Sequence, residues 1–134
     1  MVSQFVIQLD KQPGSFARLA RALVARNIDI SGMFRGGSGS CAYAVLTTED
    51  EAAVRAVLRA SGLPFVEGQT ILVSVEDRPH GLATVRDKLA AAGVAIERVL
   101  FVDRSEGRVE TALAVDDAAR ARTVLDLPVG GPAR

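Results

Sequence analysis

An α+β fold built from two tandem copies of one βαββαβ module is what this 134-residue sequence predicts. Three observations carry the prediction. The chain reads twice, each copy opens on alternating apolar residues, and each alternation gives way to apolar residues at helical spacing. Gln4 to Phe34 aligns without a gap on Thr70 to Leu100 at a constant offset of 66, as 79 − 13 for the prolines and 96 − 30 for the isoleucines both show. The match is one of pattern rather than identity: Phe5/Ile71, Ile7/Val73, Phe16/Leu82, Leu19/Val85, Leu23/Leu89 and Ile28/Val94 are apolar in both copies. Self-similarity at a fixed offset marks one supersecondary unit used more than once.

Phe5, Ile7 and Leu9 alternate with Gln4 and Gln8, the period of a strand with one face buried. After a proline-containing turn, Phe16, Leu19, Ala20, Leu23 and Val24 recur at helical spacing, as do Leu82, Val85, Leu89 and Ala92. Asn27 and Gly93 stand where these helices should stop, since both residue types tolerate the left-handed backbone that closes a helix. Strands follow from Ile28 to Phe34 and from Val94 to Val102. Hairpin loops are expected at Gly36 to Ser40 and at Arg104 to Gly107, with returning strands Cys41 to Thr47 and Val109 to Val115. Second helices carry Val54, Val57 and Leu58, or Ala118, Ala121, Val124 and Leu125. Leu63 to Val66 is the last strand of the first copy, with a weak counterpart at Leu127 to Val129.

This order is the split-βαβ or ferredoxin-like arrangement: a four-stranded antiparallel sheet with both helices on one face. The expected modules are residues 1–68 and 69–129, followed by a flexible tail at 130–134. With Gly68 near the junction and no linker, the modules should pack as a unit, their sheets side by side.

Composition narrows the function. Apolar residues make up 49% of the chain and 16 basic residues balance 16 acidic ones, which suits a packed core and not disorder. Nucleic acid is disfavoured, because phosphate binding needs a clustered excess of Lys and Arg. Phe5 and Tyr43 on the sheet are too few for an RNA-stacking platform in a chain of five Phe and one Tyr. No apolar run approaches the roughly 20 residues that span a bilayer, and the start Met1-Val2-Ser3-Gln4 has no signal-peptide pattern, so no membrane partner and a cytoplasmic setting are expected. Cys41 is alone, which rules out an internal disulfide or a zinc cluster and suggests a structural thiol. His80 is the only histidine, and without Cys or His neighbours no metal site is expected.

The informative segment is Leu9-Asp10-Lys11-Gln12-Pro13-Gly14-Ser15-Phe16, between the first strand and the first helix. Pro13 suits a helix start, where its missing N–H costs no bond. Gly14 leaves the backbone open to a ligand, and the N–H groups of Ser15 and Phe16 sit at the positive end of the helix dipole, ready for a carboxylate. Asp10 precedes the turn and Asp29 opens the next strand. Placed at one edge of the sheet, they would accept the ammonium of a zwitterion. A Pro-Gly pair is more often just a turn, so the motif needs the repeat and the topology beside it.

The run D-K-Q-P-G-S-F-A-R-L-A-R-A-L-V-A-R-N-I-D-I resembles the signature of the ACT-domain family. The resemblance implies allosteric sensing of amino acids or other small metabolites at interfaces between paired modules, in a homodimer and without a cofactor. Carried over residue by residue, it assigns ligand contact to Lys11, Gln12, Pro13, Gly14 and Asp29, although family members often have an amide or acid where this chain has Lys11. In the second copy it reaches Asp77 and Pro79. There His80 replaces the usual glycine, Ala95 replaces the polar residue that opens the strand, and Gly81 comes one place late. His80, Gly81 and Leu82 complete the expected second site, with His80 projecting from the helix start as a hydrogen-bonding group.

Catalysis finds no footing. Asp10, Asp29, Glu76 and Asp77 supply carboxylates, but no Ser–His–acid set, nucleophile elbow or P-loop is present, and no catalytic residue is assigned. Glu49-Asp50-Glu51 reads as acids at a helix start. Arg18, Arg21, Arg26, Arg55 and Arg59 read as solvated helix faces. The rival to an amino-acid sensor is a regulatory subunit that binds a separate biosynthetic enzyme and needs no ligand of its own.

Overall fold

The computed structural model describes residues 3–10, 14–37 and 42–127. The first half runs β1 (Ser3–Leu9), α1 (Ser15–Ala25), β2 (Ile30–Gly36), β3 (Ala42–Thr48), α2 (Glu51–Ser61) and β4 (Phe65–Gly68). The second half repeats the order with β5 (Thr70–Glu76), α3 (Pro79–Ala91), β6 (Ile96–Ser105), β7 (Arg108–Val115) and α4 (Ala118–Leu125). All strand pairs are antiparallel, in the order β2-β3-β1-β4 and then β5-β7-β6.

Alternation decides which way each strand faces. Phe5, Ile7 and Leu9 pack with Leu19 and Leu23 of α1 and Val54, Val57 and Leu58 of α2 in one core. Ile71, Val73 and Val75 pack with Leu89 of α3 and Ala118 and Ala121 of α4 in a second. Each fully buried Leu, Ile or Val contributes about 1.5–3 kcal/mol relative to exposure. The helix ends also repeat. The Ile28 N–H reaches the Leu23 carbonyl at 3.3 Å and the Val94 N–H reaches the Leu89 carbonyl at 2.9 Å, each following a left-handed residue, Asn27 or Gly93. These bonds satisfy carbonyls the helix cannot pair internally.

Three expectations need correction. The second sheet has three strands among the described residues, not four. Its α4 ends at Leu125, closed by left-handed Asp126, and of the expected strand at Leu127 to Val129 only Leu127 is described. Val24 is not on the buried stripe of α1: it is 78% exposed, lying beyond the arc that Leu19 and Leu23 turn to the sheet.

The sheets, finally, do not lie side by side. Val6, Tyr43, Val45 and Val66 from the first sheet form a third buried cluster with Leu72, Val102, Ala112 and Ala114 from the second. The helix-free faces therefore meet, giving four layers: helices, sheet, sheet, helices. Strand β6 contacts β3, β1 and β4, three neighbouring strands of the first sheet. Phe5 and Tyr43 lie in different clusters on opposite faces, both buried.

The junction is held by specific bonds. The Gln69 side chain donates to the Asp116 carbonyl at 3.1 Å and accepts from the Ala118 N–H at 2.9 Å, fixing the link between modules to the start of α4. Gln4 and Thr70, equivalent positions in the two copies, hydrogen-bond to one another across the sheets.

Candidate functional site

In the first strand-to-helix turn, Gly14 takes φ +88°, a left-handed conformation that a side chain would strain, and it stands at the N-cap of α1. Lys11, Gln12, Pro13 and Cys41 lie outside the described residues. Among those described, no side chain caps the first-turn N–H groups of α1. Asp10 accepts from the Ser15 hydroxyl, and Arg18 donates to the same hydroxyl at 3.2 Å while standing 4.0 Å from the Asp10 carboxylate. The described part of the turn is thus an exposed cluster of one acid, one hydroxyl and one guanidinium at the start of α1. Phe16 offers only its backbone, because its ring packs on the core.

The second turn is built otherwise. Arg104 of β6 holds both oxygens of Asp77, at 3.2 and 3.1 Å, and the Asp77 N–H reaches the Gly107 carbonyl at 2.8 Å. The carboxylate expected to receive an ammonium is already engaged by a cation. Pro79 opens α3, His80 is exposed in its first turn, and Leu82 packs on the second core. Gly81 has a steric purpose: a Cβ there would stand 2.2 Å from the Glu76 carbonyl oxygen, so only glycine lets α3 press against the end of β5. Among the described residues no side chain caps the start of α3, whereas Asp117 caps α4 by accepting from the Arg120 N–H at 3.0 Å.

Asp10 and Asp29 are not at one edge of the sheet. Leu9 pairs with Ala42 at one end of β3 and Ile30 pairs with Thr48 at the other, so the two acids stand six residues of strand apart. At about 3.3 Å per residue that is roughly 20 Å, too far for one small zwitterion. The reason is topological: β3 lies between β1 and β2 and is antiparallel to both, so the end of β1 and the start of β2 point opposite ways.

The start of β2 has its own order. The Asp29 N–H donates to the Asp50 carboxylate at 2.8 Å, and the Thr48 hydroxyl donates to the Asp29 carbonyl at 2.6 Å. In the second copy the Ala95 N–H donates to Asp116 at 2.9 Å. Both pairs keep the offset of 66, as 95 − 29 and 116 − 50 show; of the two acids only Asp50 reads in the sequence as part of a helix start. A shallow groove of about 430 Å³ runs along α3 to this end of the second module, lined by Ala83, Arg86, Asp87, Ala90, Ala95 and Ile96.

Of the arginines read as solvated, Arg55 is not. It forms a two-point ion pair with Glu67 of β4, at 2.7 and 2.9 Å, which raises its guanidinium above the usual value. Among the described residues, no group of three or more His, Cys, Asp or Glu is placed to hold a metal ion. No helix among them is long and apolar enough to cross a membrane.

No family model and no curated protein matches the chain. Solved structures do. A protein from Bacteroides thetaiotaomicron superposes over 94% of this chain and 88% of its own, at 20% identity and a TM-score of 0.49. The ligand-free regulatory subunit of aspartate kinase from Thermus thermophilus matches over 93% of this chain and 88% of its own, at 21% identity and a TM-score of 0.45. For the corresponding subunit from Thermus flavus the shares are 93% and 90%, with 19% identity and a TM-score of 0.46.

Proposed function

We propose that the chain is a tandem ACT-type regulatory protein that binds a free amino acid and carries out no catalysis. One observation carries the reading: the first-turn donors of α1 are uncapped among the described residues and stand behind a left-handed glycine, beside an exposed acid. Such a helix start suits a carboxylate. Asp10 and Asp29, at opposite ends of one sheet, serve one ligand only if two copies contribute. Strand β2 is an open edge, and antiparallel pairing with the β2 of a second copy brings the turn of one chain to the Asp29 of the other. A homodimer with two equivalent composite sites follows, built from Asp10, Lys11, Gln12, Pro13, Gly14, Ser15 and Phe16 of one chain and Asp29 of its partner. The second turn, with Asp77 neutralised by Arg104, is the weaker binder. Binding signals only if the ligand prefers one arrangement of modules over another.

The test is a thermal-stability scan and calorimetry against the common amino acids, with the oligomeric state measured alongside. One amino acid, or a small related set, is expected to raise the melting temperature and bind at one site per chain. No heat and no shift from any of them sinks the proposal. A second reading has an observation of its own: Val99 and Phe101 on the edge strand β6 are 40% and 45% exposed, a small apolar surface suited to a protein partner. Co-purification with a biosynthetic enzyme, in the absence of any amino-acid response, favours that reading.

A further inference from the structure

A cavity of about 270 Å³ opens where the two modules meet, lined by Arg59, Leu63, Pro64, Phe65 and Glu67 of the first and by Arg98 of the second. It is far from neutral. Glu67 is already taken by Arg55 through two hydrogen bonds, so that pair cancels, while Arg59 and Arg98 form no ion pair among the described residues. An arginine from each module therefore lines one space together with Leu63, Pro64 and Phe65, whose half-buried Leu63 and Phe65 also pack against the first core.

The position of Arg98 results from a repeated irregularity. In β6 the register slips between Ile96 and Arg98, and in β2 it slips at the equivalent place, between Ile30 and Gly32. An extra residue in one strand turns the next side chain to the other face. Without the slip Arg98 would share the helix-side face with Ile96. With it, Arg98 pairs with Ala114, which belongs to the cluster between the sheets. The first module has Gly32 at this point, with open space where a side-chain carbon would stand. The second module uses the same bulge to aim a cation at its neighbour.

We propose that this cavity binds a small carboxylate with an apolar body and no amine, its charge gripped by Arg59 and Arg98 and its carbon chain on Leu63, Pro64 and Phe65. Two guanidiniums favour an anion and repel an ammonium, which separates this ligand from an amino acid. The volume equals about nine waters at ~30 Å³ each, room for a short branched acid. The proposal does not rest on amino-acid binding at the helix turns. A ligand held by one arginine from each module would favour the arrangement in which both arginines reach it.

The probes are isovalerate, isoamyl alcohol (the same carbon body without the charge) and inorganic phosphate, each titrated calorimetrically into the full chain at matched ionic strength. Isovalerate is expected to bind and the alcohol not to. Arg59→Ala and Arg98→Gly, the latter installing the first module's own residue, should each weaken isovalerate at least tenfold, the scale of one lost charge-assisted bond. Circular dichroism confirms that each variant is folded, and the conservative Arg98→Lys should restore part of the affinity if charge is what matters. The proposal is overturned if isovalerate gives no heat, if it binds no better than the alcohol, if its binding survives both substitutions, or if phosphate binds more tightly.

Discussion

The two strand-to-helix turns occupy equivalent places in the repeat and use glycine for opposite reasons. Gly14 is there for its backbone: φ is +88° and, among the described residues, a Cβ would meet nothing closer than the Arg18 side chain at 3.5 Å. Gly81 is there for its missing side chain, since a Cβ would strike the Glu76 backbone at 2.2 Å. The acids differ in the same way. Asp10 keeps the Ser15 hydroxyl and a loose ion pair with Arg18 of its own helix, 4.0 Å away, while Asp77 is clamped at 3.1 and 3.2 Å by Arg104 of β6 and tied to the β6–β7 hairpin. Equivalent places in a duplicated chain thus carry different local structure: an exposed acid beside a left-handed glycine in one copy, a cross-strand clamp and a tight helix contact in the other.

Substitutions can break this contrast. The largest effect is expected from Gly81→Ala, which overpacks backbone against backbone and should cost about 3 kcal/mol in urea denaturation. A loss under about 1 kcal/mol would mean that α3 is not pressed on β5, and the contrast would collapse. Gly14→Ala should cost about 1–2 kcal/mol, the strain of a side chain in a left-handed conformation, and should weaken amino-acid binding as well. Stability lost with affinity kept would separate the turn from the ligand. The smallest effect belongs to Arg104→Ala. Its ion pair with Asp77 is solvent-exposed, so denaturation should register less than about 1 kcal/mol. Appearance of a second amino-acid site in this variant would show that the clamp alone silences the second turn.

Much of the fold was legible. The offset of 66 located both copies, and the left-handed closures at Asn27 and Gly93 stand where the residue types placed them. The face-to-face packing of the modules, against the expected side-by-side sheets, is also written in the chain: Ala42 to Leu46 is apolar at every position, the mark of a strand covered on both faces rather than one. The separation of Asp10 from Asp29 followed from topology, because any strand placed between β1 and β2 and antiparallel to both sends their neighbouring loops to opposite ends. The Asp77–Arg104 clamp and the aim of Arg98 were not legible. Each depends on a tertiary approach or a register slip that no local pattern encodes.

The seam of Val6, Tyr43, Val45 and Val66 against Leu72, Val102, Ala112 and Ala114 leaves neither half self-sufficient. Either half cut free would show water an oily sheet that its own helices do not cover, a surface prone to aggregate. The duplicated pieces thus share one fate in folding even as their loops drift apart: mutation is free to rewrite a turn, but divorce is closed to them.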